Sequence, residues 1–164
     1  DTIKKILLTT PEGKEVETLT GLSRGGFDSC LGFLNGGINE WENQGNPISS
    51  IETIKSKDFV DILKLNKINI LDVRSKSEFD NKHIEGAINF PLNSLQEMSK
   101  EIKYEDKLYV HCAGGYRSVI AISILMKLGF KAMTNITEGF NEILKCNLNE
   151  NCYNSINSSN CNNT

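Results

Sequence analysis

The sequence predicts an α/β fold, a parallel sheet flanked by helices. Short runs rich in Ile, Val and Leu alternate with segments of helical period as far as about residue 146, the pattern of parallel strands joined by crossover helices. Two of the runs, Asn69-Ile70-Leu71-Asp72-Val73 and Leu108-Tyr109-Val110-His111, are mostly apolar, as strands covered on both faces are. The second of them runs into Cys112 and a glycine-bearing loop before a helix begins, and the C-terminal end of a parallel strand is where such folds bind ligands.

In chain order, Ile6-Leu7-Leu8-Thr9 reads as a strand, 15–23 as a helix, Cys30-Leu31-Gly32-Phe33 as a strand and 38–43 as a short helix carrying Trp41. The stretch 35–50, with Gly36, Gly37, Gly45 and Pro47, is the expected handover between packing units, so the boundary is placed near residue 50. Beyond it come a helix over 57–65, the strand at 69–73 and a helix over 76–81. A weak strand at 87–90 and a helix over 94–99 follow, then the strand at 108–111, a long helix over 118–128, a weak strand at 131–134 and a helix over 140–145. Ser56 and Ser75 are the expected N-caps, and Gly129 stops the long helix. The remaining residues, 151–164, are an Asn- and Ser-rich polar tail without periodicity.

The order strand, turn, helix, Gly-Phe, strand, glycine, helix occurs twice, in 6–43 and 108–145, with Gly26-Phe27 matching Gly129-Phe130 and Gly37 matching Gly139. Residues 1–50 are therefore expected to be the back half of a truncated copy of the module in 51–150. Two strand-helix units are too little for a self-sufficient core. Opening without Met, almost at once on an apolar strand, the chain is expected to be part of a longer polypeptide.

Composition narrows the function classes. A net charge of −3, from 18 basic and 21 acidic residues with neither gathered into a block, argues against nucleic acid and acidic membranes as partners. The absence of an apolar run of membrane-spanning length and of a secretory leader leads to an expected cytoplasmic location. Five cysteines, at 30, 112, 146, 152 and 161, form no CxxC pair, and His83 and His111 are the only histidines. Separate reduced thiols are expected, with no metal and no cofactor.

The informative element is Val110-His111-Cys112-Ala113-Gly114-Gly115-Tyr116-Arg117-Ser118. Paired glycines let a loop curl its amide N–H groups inward, and the helix that follows adds the positive end of its dipole. A thiol at the centre of such an anion cradle ionises readily, and the thiolate is the attacking form. Cys112 is thus the candidate nucleophile, with Ala113, Gly114, Gly115, Tyr116, Arg117 and Ser118 as the residues that hold substrate. Arg117 is expected to close the loop and offer planar donors to an oxyanion. By strand alternation His111 faces away from Cys112, and it is read as a packing residue rather than a base.

These residues resemble the rhodanese family over nearly all of 52–150. Three motifs carry the resemblance. Leu71-Asp72-Val73-Arg74, with Glu78-Phe79 and His83-Ile84-Glu85-Gly86-Ala87-Ile88-Asn89-Phe90-Pro91, resembles the family's N-terminal signature; 109–118 resembles its active-site loop; Glu138-Gly139-Phe140 resembles the turn before its last helix. The resemblance implies that Cys112 takes sulfane sulfur from thiosulfate or a persulfide and passes it to a thiol or cyanide. Four residues separate Cys112 from Arg117, the length of sulfurtransferase loops, whereas phosphatase-like members have five. Asp72, Arg74, Glu78 and His83 belong to the signature and are read as structural. Arg74 and Glu78 are spaced to pair across a helical turn, Asp72 to cap the turn after its strand, and His83 to pack. The first segment has Thr9-Thr10-Pro11-Glu12-Gly13 where a cradle would stand, and is expected to be inactive.

The loop is also similar to rhodanese modules fused behind metallo-β-lactamase-like hydrolases of the persulfide dioxygenase type, which implies such a domain upstream. An alternative reading then makes the domain a non-enzymatic sulfur-relay or regulatory module for that hydrolase. The open sheet edge of the first segment makes a homodimer a further expectation.

Overall fold

The computed structural model describes residues 3–101, 107–146 and 153–155. The chain folds as two compact units, Asp1–Ser50 and Ile51–Thr164. The first contains β1 (Ile6–Leu8), α1 (Glu15–Arg24), β2 (Cys30–Phe33) and α2 (Gly37–Asn43), with β1 and β2 paired in parallel. No residue of α1 or α2 is buried, and Leu7, Val16 and Leu31 are 76%, 77% and 62% exposed. Two short strands and two short helices do not enclose enough apolar surface to make a closed core.

The second unit is built on a five-stranded, all-parallel sheet. Its strands are β3 (Glu52–Ile54), β4 (Asn69–Asp72), β6 (Ile88–Asn89), β7 (Leu108–His111) and β8 (Met133–Ile136), in the order β3-β8-β7-β4-β6. From β4 the chain steps outward to β6 and then returns to the far side of β4 as β7, so strand order reverses between β4 and β7. That reversal opens a crevice at the carboxyl ends of the two strands.

Alternation sorts the side chains to two covered faces. Leu71, Val73, Val110 and Cys112 point to one face, where they pack with Leu95 of α5 (Leu95–Met98) and with Ala121, Ile122 and Leu125 of α6 (Tyr116–Lys127). Ile70 and Ile136 point to the other, against Phe59 and Val60 of α3 (Ser56–Leu65) and Phe140 and Ile143 of α7 (Gly139–Ile143). Burying side chains of this size stabilises by roughly 1.5–3 kcal/mol each, so the two layers, not helix propensity, hold the sheet. The remaining helix, α4 (Lys76–Asn81), begins with a capping box: the Glu78 amide donates to the Ser75 hydroxyl and the Ser75 amide donates to the Glu78 carboxylate.

Several expected boundaries move. The last strand of the sheet occupies 133–136 rather than 131–134, because Thr134 and Asn135 are buried between β7 and β3 while Lys131 and Ala132 stay outside. The long helix starts two residues early, at Tyr116, because Gly115 adopts the left-handed conformation and takes the cap position. Ser56 lies inside its helix rather than capping it; its hydroxyl donates to the carbonyls of Thr137 and Gly139, tying α3 to the turn before α7. Part of the expected polar tail is also ordered: β9 (Tyr153–Ser155) pairs antiparallel with β5 (Lys82–Ile84). The rest of 151–164 lies outside the described residues.

Candidate active site

The site is assembled where β4 and β7 end. Their parallel register sets Asp72 beside His111, and the Val73 amide donates to the His111 carbonyl at 3.0 Å, so Val73 is the lateral neighbour of Cys112. Cys112 is 1% exposed. The loop that follows bends back at Gly115, whose φ of +95° is open to glycine and costly for other residues. This aims the Gly115 N–H at Cys112 Sγ, 3.1 Å away. Ser118 Oγ stands 3.7 Å from the sulfur and 2.9 Å from the Gly115 carbonyl, and its single proton can serve either.

These donors decide the state of the thiol. Burial opposes ionisation of Cys112 more than any other single influence, but the Ser118 amide and hydroxyl and the amides of Gly114 and Gly115 together outweigh it. The net effect lowers the thiol below its ordinary value. The amide that bonds the sulfur directly is that of Gly115. Only Gly115 of the two loop glycines uses a left-handed conformation.

The loop is propped from behind by the turn before α7. The Phe140 amide donates to the Cys112 carbonyl at 2.7 Å and the Asn141 amide to the Ala113 carbonyl at 3.1 Å. Gly139, with φ +64°, lies so close that a Cβ there would meet the carbonyl oxygens of Cys112 and Ala113 at 2.4 and 2.7 Å. Composition gave no sign of this close approach, although Glu138-Gly139-Phe140 belonged to the family-like pattern.

Arg117, expected to close the loop, is held by Glu78. Its Nη1 and Nη2 donate to the two Glu78 carboxylate oxygens at 2.7 and 2.9 Å, a bidentate pair with each side chain about one-third exposed. The hydrogen bond from Arg117 is the main reason that the Glu78 carboxyl is held down to about 2, helped by Ser75. The expected Arg74–Glu78 pairing is thereby corrected. Glu78 belongs to Arg117, and Arg74 folds back onto Asp72, its guanidinium donating to both carboxylate oxygens. Asp72 also accepts the Arg74 amide at 2.9 Å, the turn-capping role expected of it. The guanidinium of Arg74 stacks 3.8 Å over the Phe140 ring and donates to the Lys82 carbonyl, so this buried pair ties β4 to α7 and β5.

The histidines keep away from the sulfur. His111 is fully buried on the opposite face, its ring stacked near Phe140, and burial holds it below its ordinary value and hence neutral. His83 stacks on Phe79 at 3.8 Å and its Nδ1 meets the Phe79 carbonyl. Of the other loop residues, Ala113 is half-buried, Gly114 is exposed and Tyr116 is 87% exposed, so its ring stands at the surface rather than in the cradle. Among the described residues no group of His, Cys, Asp or Glu could hold a metal ion, and Cys30, Cys112 and Cys146 are free thiols.

The family model described as the rhodanese-like domain matches residues 56–146. The chain belongs to the rhodanese-like family. The rhodanese-like domain is 33% identical over 108 residues to the Bacillus subtilis protein named "Putative sulfur carrier protein YrkF", an alignment that takes in 65% of this chain and 56% of that protein. It is 30% identical over 80 residues to "Thiosulfate sulfurtransferase GlpE" of Coxiella burnetii, covering 49% of this chain and 75% of the relative. Among solved structures, a rhodanese-related protein of Thermoplasma volcanium superposes with a TM-score of 0.52 at 29% identity, covering 57% of this chain and 91% of that one. The chain thus spans under two thirds of the length of the first of these relatives. The rhodanese-like fold is that of a parallel sheet between helices, as the sequence predicts, and no helix among the described residues is long and apolar enough to cross a membrane.

Proposed function

We propose that the domain is a sulfurtransferase that moves sulfane sulfur from thiosulfate or a persulfide to a thiophilic acceptor through a persulfide on Cys112. The observation that carries this reading is the Cys112 sulfur held by the Gly115 amide at the reversal of the sheet, with its ionisation favoured by the loop. The thiolate attacks the outer sulfur of the donor, forming a new S–S bond as the donor's own breaks, and the electron pair leaves on sulfite or on the donor thiolate. The same amides then face the outer sulfur of the enzyme persulfide. Cyanide or a thiolate takes that sulfur, and the Cys112 thiolate is restored. No step needs a base, which accords with both histidines lying elsewhere. A reducing, cytoplasmic setting would keep the thiol available.

The test is thiocyanate production from thiosulfate and cyanide by the wild-type protein and by Cys112→Ser. Turnover by the first and loss in the second is expected; equal rates would remove Cys112 from the chemistry.

One observation favours a relay reading. The first unit has no cradle and leaves Leu7, Val16 and Leu31 exposed, as a surface for another domain would. In that reading residues 1–50 are the silent copy, and Cys112 passes sulfur to a partner such as the metallo-β-lactamase-like domain implied by the family resemblance. A Cys112 persulfide that forms but turns over small acceptors negligibly would support it. A second copy of the chain pairing along the open edge of β1 or β2 would instead appear as a dimer in light scattering.

A further inference from the structure

We propose that the site is tuned for an organic persulfide rather than an inorganic sulfur oxyanion, and that Glu78 is the positioning residue that sets this preference. The inference rests on the sulfurtransferase reading and concerns what supplies the sulfur.

Two observations carry it. Beside the loop lies a cleft of about 360 Å³, lined by Val73, Ser75, Pro91, Leu92, Asn93 and Arg117. Its wall contains Val73, and the Leu92 amide donates to the Val73 carbonyl at 3.3 Å, so the cleft lies at the end of β4, the strand next to the one that ends in Cys112. Its surface is mainly apolar carbon. A cleft of this kind gains by removing a carbon chain from water, and gains little from a sulfonate.

The second observation is the Arg117–Glu78 pair. With Cys112 almost wholly buried, only the terminal sulfur of a donor reaches it, and the rest of the donor stays outside the loop. For thiosulfate that remainder is an anionic sulfonate, which needs a free cation. The Arg117 guanidinium already has both terminal nitrogens on a carboxylate, and Glu78 is fixed by its bonds to the Ser75 amide and hydroxyl. A sulfonate arriving there must displace Glu78 or sit against its charge. A persulfide avoids the conflict, because its remainder is a carbon body that enters the cleft. The step balances: the Cys112 thiolate and R–S–SH give Cys112–S–SH and R–S⁻, with one S–S bond formed and one broken.

The experiment follows the rate at which intact protein gains one sulfur atom on Cys112, by mass spectrometry, with thiosulfate and with glutathione persulfide as donors. Wild-type protein is expected to load from the persulfide with the larger second-order rate constant. Glu78→Gln keeps the capping box, since Gln serves at that position, but removes the charge that holds Arg117. It should raise the thiosulfate-to-persulfide ratio of rate constants by about tenfold, the scale of one charge-assisted hydrogen bond made available. Glu78→Asp should return the ratio toward wild type, and Leu92→Trp, which fills the cleft, should shift it in the same direction as Glu78→Gln. A purely structural role for Glu78 would slow both donors alike. Loading from both donors at a ratio indifferent to Glu78→Gln overturns this inference and leaves the sulfurtransferase reading standing. Loading from neither donor, in folded wild-type protein, overturns both.

Discussion

Gly139→Ala gives the sharpest test of how the Cys112 loop is held. Two costs add. An alanine at φ +64° loses about 1–2 kcal/mol from its left-handed conformation. The new Cβ would also meet the Cys112 and Ala113 carbonyl oxygens at 2.4 and 2.7 Å, both main-chain atoms without a flexible end to swing away. Pushing them aside is an overpacking of the kind that costs about 1–3 kcal/mol. The sum, about 2–5 kcal/mol, is a large part of the roughly 5–15 kcal/mol that a domain of ordinary stability has. Gly86→Ala is the control, because Gly86 has φ +78° with nothing within 4 Å of its would-be Cβ, and it carries only the first cost. Urea unfolding of the two variants, with unchanged slopes, should separate them by the overpacking cost. The alkylation rate of Cys112 in folded Gly139→Ala should fall as the loop is displaced. A Gly139→Ala variant no less stable than Gly86→Ala, with normal thiol reactivity, would refute the idea that this turn props the loop.

Three further outcomes follow from the same geometry. Ser118→Ala removes one of the groups that favour the Cys112 thiolate, so the pH midpoint of alkylation should rise and the rate at neutral pH fall; an unmoved midpoint would leave the amides alone in that role. Asp72→Ala leaves the Arg74 guanidinium buried without its carboxylate and should cost about 3–5 kcal/mol in denaturant unfolding, whereas Glu52→Gln, which breaks an exposed pair with Lys107, should cost at most about 1 kcal/mol. Glu78 has a folded-state value depressed from 4.5 to about 2, so its contribution is complete above 4.5 and is lost as pH falls toward 2. The stability gap between wild type and Glu78→Gln, on the order of 1 kcal/mol after solvent screening, should therefore close across that window in acid titrations.

What the sequence shows and hides follows from the range of the interactions. The Cys112 loop is legible because its determinants are local: an apolar strand, a thiol at its end, and a glycine that must turn left-handed before a helix can start. The alternation that puts Cys112 toward α6 and His111 toward α3 and α7 is legible for the same reason. Partner choice is not. Arg74 sits four residues before Glu78, yet it bonds Asp72, while Glu78 finds Arg117 thirty-nine residues on. That outcome depends on where the strands end, which no spacing rule contains. Edge strands are hidden too: Glu52-Thr53-Ile54 and Lys82-His83-Ile84 carry too little apolar pattern to stand out, and they are strands because β8 and β9 pair with them. The shift of β8 has the opposite cause, since Asn135 looks like a loop residue but lies buried in the sheet.

The most direct measurement is the intact mass of reduced, folded protein after brief exposure to glutathione persulfide and removal of excess donor, followed by peptide mapping. A gain of one sulfur, located on Cys112, absent from Cys112→Ser and discharged by cyanide, is the predicted result. Sulfur found on Cys30 or Cys146 instead, or none at all while the amide loop remains folded, would contradict the account.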